Sequence, residues 1–121
     1  MKITQAFTFE AAHRLPNVPD THRCKRMHGH SYRVELTFEG PVDPTSGFVV
    51  DFFDIETVFA PILDQLDHQT LNEVPGLENP TAENIARWIF NRWQLFLGAP
   101  PLRSVRLYET PMCWAKYEPE L

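Results

Sequence analysis

One stretch of alternating residues limits the folds open to this chain more than any other feature. Over residues 30–39, apolar and polar side chains alternate well, from Tyr32 to Glu39 without a break. The apolar positions in this stretch are Tyr32, Val34, Leu36 and Phe38. A period of two is typical of a β-strand with one buried face and one solvent-facing side. Such a strand needs a second layer over its apolar face, so a sheet covered on one side by helices is expected.

Three further strands are predicted around it. Residues 3–10 are rich in β-branched and aromatic types, Val105 and Leu107 mark a third strand, and 113–117 form the last. A minor extended piece, 48–50, precedes the first helix. The order β-β-α-α-β-β predicts an α+β fold, in which a four-stranded antiparallel sheet carries two helices on one face.

The two helices are predicted from apolar residues at helical spacing. In the first, apolar positions recur over 55–66, with Asp54 as the N-cap and either a kink or one loosened hydrogen bond at Pro61. The second is predicted to begin near an Asn-Pro-Thr segment, with Asn79 or Thr81 as its N-cap.

Size and composition exclude several classes of protein. With 121 residues, the chain is expected to form a single domain, 1–121. It has neither a long apolar run nor a secretory signal, so a cytoplasmic protein without membrane contact is expected. Lys and Arg number 11 against 16 Asp and Glu, and this acidic balance argues against a nucleic-acid partner.

The histidines provide the main chemical signal. His28 and His30 flank Gly29, and residues two apart on a strand share one face, roughly 7 Å from each other. They have the same parity as Tyr32, which means that an even number of positions separates them from it along the strand. They therefore share its face and are expected to point inward. His13 lies just past the first strand, and a hairpin would bring it opposite the pair. Three histidines with an open fourth position are typical of catalytic zinc, whereas ordinary histidines in a polar loop are the alternative.

Cys24 lies four residues before His28, in a basic segment over 14–26 whose only acid is Asp20. It is interpreted as a fourth zinc ligand, as a reactive thiol beside the metal, or as a surface cysteine without a role. Cations beside a thiol favour its reactive thiolate form. The basic segment indicates an anionic, phosphorylated ligand, or else a solvated loop.

Two further sites carry carboxylates. Asp67 and His68 follow the first helix, where they would move protons near a thiol or simply form a polar helix end. Glu109 has the parity of Val105 and Leu107, and an inward carboxylate needs a partner. A guanidine-like edge with two parallel N–H groups would suit it, and a solvated strand end is the alternative.

The chain resembles the 6-pyruvoyltetrahydropterin synthase and 6-carboxytetrahydropterin synthase family along nearly its whole length. The matching segments are FTFEAAHRL at 7–15, C-x-x-x-HGHSY at 24–32, VVDF at 49–52, LDH at 66–68, LENPTAEN at 77–84 and the pair Glu109-Thr110. The resemblance implies the tunnelling fold (T-fold), in which subunits join their sheets into a barrel. It also implies a homohexamer of two trimers with active sites at subunit interfaces.

The resemblance further implies three groups of site residues. The implied ligands of Zn2+ are His13, His28 and His30. The implied catalytic residues are Cys24, Asp67 and His68. The implied pterin-binding residues are Glu109 and Thr81.

The activity implied by the resemblance is a zinc-dependent carbon–carbon lyase reaction. It converts 7,8-dihydroneopterin triphosphate to 6-carboxy-5,6,7,8-tetrahydropterin, with release of acetaldehyde and triphosphate, in queuosine (7-deazapurine) biosynthesis. One alternative is 6-pyruvoyltetrahydropterin synthesis, which eliminates triphosphate without loss of carbon. Relatives that cleave dihydroneopterin derivatives for folate synthesis usually have a glutamate near the position of Cys24, so they rank third. A non-catalytic, zinc-stabilised pterin-binding module with Cys24 as fourth ligand is the alternative from another class.

Overall fold

A computed structural model describes residues 1–120. The strands are β1 (Lys2–His13), β2 (His28–Glu39), β3 (Gln69–Thr70), β4 (Leu102–Thr110) and β5 (Cys113–Tyr117). The helices are α1 (Phe52–Asp64) and α2 (Ala82–Trp93). Within the described part of the chain, neither helix has the length and apolar character needed to cross a membrane.

The strands form one mixed sheet in the order β3-β1-β2-β4-β5. The predicted sheet of four antiparallel strands was therefore wrong in one respect: β3 adds a fifth, parallel strand, which pairs Gln69 and Thr70 with Ala11 and Ala12. Two residues are too few to show a period, so this strand is defined by main-chain pairing with β1. The extended piece expected at 48–50 is a bend outside the sheet.

The core lies between the helices and one face of the sheet. The four apolar residues of the alternating stretch are all completely buried, which confirms the face predicted for β2. Trp93 of α2 packs against Phe38, with ring centroids 5.4 Å apart. Burying each large apolar side chain stabilises the fold by about 1.5–3 kcal/mol.

The helix starts are set by side-chain caps. The N-cap of α1 is Asp51, which accepts a hydrogen bond from a main-chain N–H two residues on; the predicted cap Asp54 was wrong. The apolar pattern missed this first turn because its phenylalanines are exposed. Pro61 lies inside α1 without ending it. Thr81 caps α2 by accepting from the N–H of Asn84 at 3.1 Å, so the second of the two predicted caps is the one used.

The β1–β2 pairing positions the site. The two strands are antiparallel along their whole length, with His13 opposite His28 and Ala11 opposite His30. His13 is thus the last residue of β1 rather than a residue just past it. The loop 14–27 joins the strands at this end of the sheet.

Candidate metal centre and active site

The structure brings the three predicted histidines together. One nitrogen from each of His13, His28 and His30 lies within 4.8 Å of the others. The three rings meet edge to face, with centroids 4.6 to 5.0 Å apart. Imidazole nitrogens at this separation can converge on one metal ion.

Main-chain carbonyls fix two of the rings. The Nδ1 atom of His13 lies 2.8 Å from the carbonyl oxygen of Pro80, and Nδ1 of His28 lies 2.7 Å from that of Arg26. Because a carbonyl oxygen only accepts, each Nδ1 donates, and Nε2 of each neutral ring carries a lone pair. Metal-bound histidines are oriented by such carbonyl contacts. The donor set therefore fits a divalent metal such as zinc.

Burial favours the metal-binding form of His13 and His30. His13 is 1% exposed, and burial lowers its pKa to about 4, with smaller effects from the like charges of His28 and His30 and a partial offset from the Pro80 hydrogen bond. Burial also lowers the pKa of His30, against an opposing effect of the Glu109 carboxylate. The neutral imidazole is the form that binds metal.

Tyr32 lies directly beside the cluster, and the sequence reading treated it only as a core residue. Its ring stacks on Phe9 at 4.9 Å and meets the rings of His13 and His30 edge to face at 5.9 and 5.4 Å. It has the same parity as His28 and His30, which was the signal in the sequence for its place beside them.

Glu109 occupies an irregular position in β4. Tyr108 pairs with Trp114 and Thr110 with Cys113, so Glu109 is left without a partner between them, as in a β-bulge. Bulges redirect side chains and are frequent beside active sites. The residue is half-buried near the end of the strand.

Glu109 and Thr81 line one cavity of about 500 Å³, which also includes Leu15 and Cys113. The cavity adjoins the histidine cluster, because Thr81 directly follows Pro80, whose carbonyl oxygen contacts His13 at 2.8 Å. The charge of Glu109 also acts to raise the pKa of His30 and of Tyr32. The structure thus places both predicted pterin-binding residues together. The Thr81 oxygen accepts the α2 cap bond, and its hydroxyl proton remains available as a donor.

Asp67 and His68 lie between α1 and β3, held by β1. One oxygen of Asp67 accepts from the N–H of Glu10 at 3.0 Å, and the other contacts Nδ1 of His68 at 3.0 Å. The hydrogen bond from Glu10, followed by that from His68, lowers the pKa of Asp67. His68 is the only non-glycine residue within 1–120 with a positive φ, at 59°. Left-handed backbone costs about 1–2 kcal/mol, and such residues concentrate at functional sites.

Cys24 is half-buried in a 3-10 turn, Arg23–Lys25, and its N–H donates to Nδ1 of His22 at 3.0 Å. Among the described residues, the cluster of convergent ligand atoms contains the three histidines and not Cys24. The arrangement within one chain therefore favours an open three-histidine site over a closed site with a sulfur ligand.

The basic segment is only partly free to bind an anion. The ammonium group of Lys25 donates to the carbonyls of Pro16 and Val18 at 2.8 and 3.2 Å, and it lies 3.5 Å from Asp20. Lys25 thus holds the loop together. The exposed cations of the segment are Arg14, Arg23 and Arg26.

Within one chain, the predicted site residues that line a cavity are distributed over two separate cavities. His30 and His68 line a second cavity of about 450 Å³, together with Glu10 and Ser31. The Ser31 hydroxyl contacts both carboxylate oxygens of Glu10, at 2.9 and 2.7 Å. Cys24 lines neither this cavity nor the one beside Glu109.

Comparison with known proteins gives one consistent family. A family model described as 6-pyruvoyl tetrahydropterin synthase matches residues 2–120. The chain is 39% identical to 6-carboxy-5,6,7,8-tetrahydropterin synthase of Synechocystis sp., over 95% of this chain and 91% of that protein. It is 35% identical to 6-pyruvoyl tetrahydrobiopterin synthase of Drosophila melanogaster, over 90% and 74% of the two chains. The solved structure of Caenorhabditis elegans 6-pyruvoyl tetrahydropterin synthase superposes with a TM-score of 0.88 at 28% identity, covering 99% and 96% of the two chains.

Proposed function

The chain belongs to the 6-pyruvoyl tetrahydropterin synthase family, and we propose that it is a zinc-dependent carbon–carbon lyase acting on 7,8-dihydroneopterin triphosphate. With water, the reaction gives 6-carboxy-5,6,7,8-tetrahydropterin, acetaldehyde and triphosphate, a step in queuosine (7-deazapurine) biosynthesis. The observation that carries the proposal is the convergence of His13, His28 and His30 next to the Glu109 cavity. A metal held by the histidines and a pterin bound at Glu109 would therefore adjoin each other.

The second candidate is 6-pyruvoyltetrahydropterin synthesis, which eliminates triphosphate without carbon loss. The Drosophila melanogaster relative and the Caenorhabditis elegans structure carry names of that activity. The carboxy product ranks first because the Synechocystis sp. relative has the higher identity, 39% against 35%, and is covered over 91% of its length against 74%.

The histidine cluster would hold the metal through Nε2 of His13, Nε2 of His28 and one nitrogen of His30. Zinc bound with an open fourth position would supply Lewis-acid polarisation of the substrate's side-chain oxygens. The protein's part is to hold the rings as neutral ligands, which the carbonyl contacts of Pro80 and Arg26 support.

Proton transfer is assigned to Cys24, Asp67 and His68. Cys24 as thiolate would accept a proton from the substrate, and Nε2 of His68 would return or relay one. Asp67 would orient His68, because its carboxylate lies 3.0 Å from Nδ1 of that ring. The Asp67 contact with the N–H of Glu10 fixes the carboxylate in turn.

We further propose that a neighbouring subunit completes the site. Cys24 and His68 do not line the same cavity of one chain, and a homohexamer of two trimers would supply the missing groups. The strands β3 and β5 are the edges of the sheet, where main-chain groups are open to pairing with another chain. We also propose that residues 1–121 form a single domain and that the protein acts in the cytoplasm.

Glu109 is assigned to the pterin and the exposed arginines to the triphosphate. An ionised carboxylate accepts two parallel N–H groups, as the 2-amino group and adjacent ring N–H of a pterin would present. Thr81, in the same cavity, has a free donor proton for the ring. The arginines available for phosphate are Arg14, Arg23 and Arg26.

Mass spectrometry of the product tests the proposal. The zinc-loaded protein is incubated with 7,8-dihydroneopterin triphosphate. A 6-carboxy product with acetaldehyde is expected. A 6-pyruvoyl product would establish the second candidate instead and leave the assignments of the metal, thiol and pterin residues standing. Unchanged substrate with stoichiometric zinc would favour a non-catalytic pterin-binding module.

A further inference from the structure

Tyr32 has a buried hydroxyl group with no hydrogen-bond partner among residues 1–120. The side chain is 0% exposed, so bulk water does not satisfy the hydroxyl. Burying an unpaired polar group is unfavourable, whereas phenylalanine would fill nearly the same volume without that penalty. An unpaired buried hydroxyl in a well-packed core therefore requires an explanation.

The position of the ring is tightly determined. Tyr32 is directly opposite Phe9 in the β1–β2 pairing, and the two rings stack at an interplanar angle of 10°. The rings of His13 and His30 pack against it edge to face. With neighbours on several sides, the hydroxyl has little freedom to seek a distant partner.

The pairing of β2 with β4 points to Glu109 as the missing partner. The last pair between these strands joins Arg33 to Tyr108, and the same register continued by one residue would bring Glu109 opposite Tyr32. The bulge at Glu109 breaks the β4–β5 pairing at this residue. Bulges commonly redirect the side chain that they carry. The Glu109 carboxylate also adds to the effect of burial in raising the pKa of Tyr32, as expected if the two groups are neighbours.

As long as the cavity is open, water can donate hydrogen bonds to the Glu109 carboxylate in place of Tyr32. The side chain is only half-buried, so its oxygens have solvent donors in the free protein. A ligand that fills the cavity excludes this water, and each carboxylate oxygen then needs a donor from the protein or from the ligand. The Tyr32 hydroxyl, which has no partner in the free protein, can supply such a donor.

We propose that Tyr32 is a positioning residue, whose hydroxyl donates a hydrogen bond to the Glu109 carboxylate when a pterin fills the cavity. This bond fixes the carboxylate so that its remaining lone pairs face the two N–H groups of the ligand. The inference rests on the proposed function, since it takes Glu109 as the pterin anchor. The unpaired hydroxyl would thus lower the stability of the free protein, and its pairing in the complex would strengthen ligand binding.

A double-mutant cycle tests the inference with zinc-loaded protein and 7,8-dihydroneopterin as the probe. The variants are Tyr32→Phe, Glu109→Gln and both together, with Tyr117→Phe as a control for the same chemical change on β5. Calorimetry gives Kd, urea unfolding gives stability, and metal analysis gives the zinc content.

Tyr32→Phe is expected to keep its zinc, to unfold at a urea concentration no lower than that of the wild type, and to bind the pterin about tenfold more weakly. In the Glu109→Gln background the same change is expected to have little further effect, because Tyr32 acts through the carboxylate. Tyr117→Phe should leave Kd unchanged.

Three outcomes would overturn the inference. An unchanged Kd for Tyr32→Phe, or an equal loss in both backgrounds, would show that Tyr32 does not act through Glu109. A lowered unfolding midpoint for Tyr32→Phe would show that the hydroxyl already has a partner, such as a buried water. If Glu109→Gln itself leaves Kd unchanged, the pterin anchor of the proposed function fails, which is distinct from a failure confined to Tyr32.

Discussion

The Nε2 atoms of His13 and His28 face each other at 3.1 Å. Each ring uses its Nδ1–H for a main-chain carbonyl, so two lone pairs oppose one another unless a proton or a cation lies between them. Zinc binds imidazole nitrogen at about 2.0–2.1 Å, which separates two tetrahedral ligands by roughly 3.4 Å. The chain thus holds the His13 and His28 nitrogens within a few tenths of an ångström of the separation that zinc requires.

The first prediction concerns metal retention. Wild-type protein is expected to hold about one zinc ion per chain after dialysis, and His28→Ala is expected to lose most of it, because only two ligands of the cluster remain. Elemental analysis by plasma mass spectrometry measures this. His68→Ala is the matched control, since His68 lies outside the cluster and should keep its zinc. Full zinc retention by His28→Ala would remove this residue from the ligand set.

The second prediction concerns pH. Folding lowers the pKa of His13 from 6.5 to about 4. Between these values the unfolded chain binds a proton that the folded chain does not, so the zinc-free protein should lose stability as the pH falls from 6.5 towards 4. The lowered pKa of His30 acts in the same direction.

Urea unfolding of the zinc-free protein at several pH values measures this dependence. His13→Asn should show a shallower decline, because the group with the largest shift has been removed. A wild-type stability that stays constant between pH 6.5 and 4.5 would contradict the assignment of a neutral, buried His13.

The histidine cluster could be predicted from the sequence because the period of a strand fixes the direction of its side chains. The alternation from Tyr32 onward extends back through His30 and His28, and the hairpin puts His13 in register with them. The same argument predicted that Glu109 shares the face of Val105 and Leu107, and the structure has it at an irregular, half-buried position of β4. Each of these positions follows from a local pattern combined with one antiparallel pairing.

Other features depend on contacts that no local pattern encodes. The strand β3 exists through main-chain pairing of Gln69 and Thr70 with an edge of β1. The positive φ of His68 and the bond from the Glu10 N–H to Asp67 are likewise tertiary. The unpaired hydroxyl of Tyr32 could not be predicted, because the alternating pattern indicates only that this side chain is buried.

The third prediction separates catalysis from metal binding at Cys24. Cys24→Ala is expected to keep its zinc and lose activity by about 10²–10⁴-fold, because a positioned proton-transfer group is removed. X-ray absorption at the zinc edge should show nitrogen ligands and no sulfur in both proteins. A sulfur signal in the wild type that disappears in Cys24→Ala would make Cys24 a ligand and refute its catalytic role.

The fourth prediction tests the orienting role of Asp67. In Asp67→Asn, the amide can still offer its oxygen to the Glu10 N–H, but its NH2 group then faces Nδ1 of His68. His68 would have to present the opposite tautomer, so kcat should fall by about 10²-fold or more while zinc content stays constant. Steady-state kinetics measures this. An unchanged kcat would show that the carboxylate does not serve catalysis.

The last prediction assigns the pterin anchor by comparing two acids in one cavity. Glu109→Gln replaces an acceptor oxygen with a donor that faces the ligand's N–H groups, so Kd for 7,8-dihydroneopterin should rise about 10–150-fold. Zinc content should not fall, because loss of the carboxylate removes the influence that raises the pKa of His30 and leaves that ring neutral.

Glu83 provides the matched control, since it lines the same cavity from the first turn of α2 and is exposed. Glu83→Gln removes the same charge, and it should leave Kd nearly unchanged if Glu109 binds the ligand directly. Equal losses in the two variants would mean that the cavity's overall negative charge, and not a directed pair of hydrogen bonds, attracts the pterin. Loss of zinc in Glu109→Gln alone would instead place this carboxylate in the metal centre.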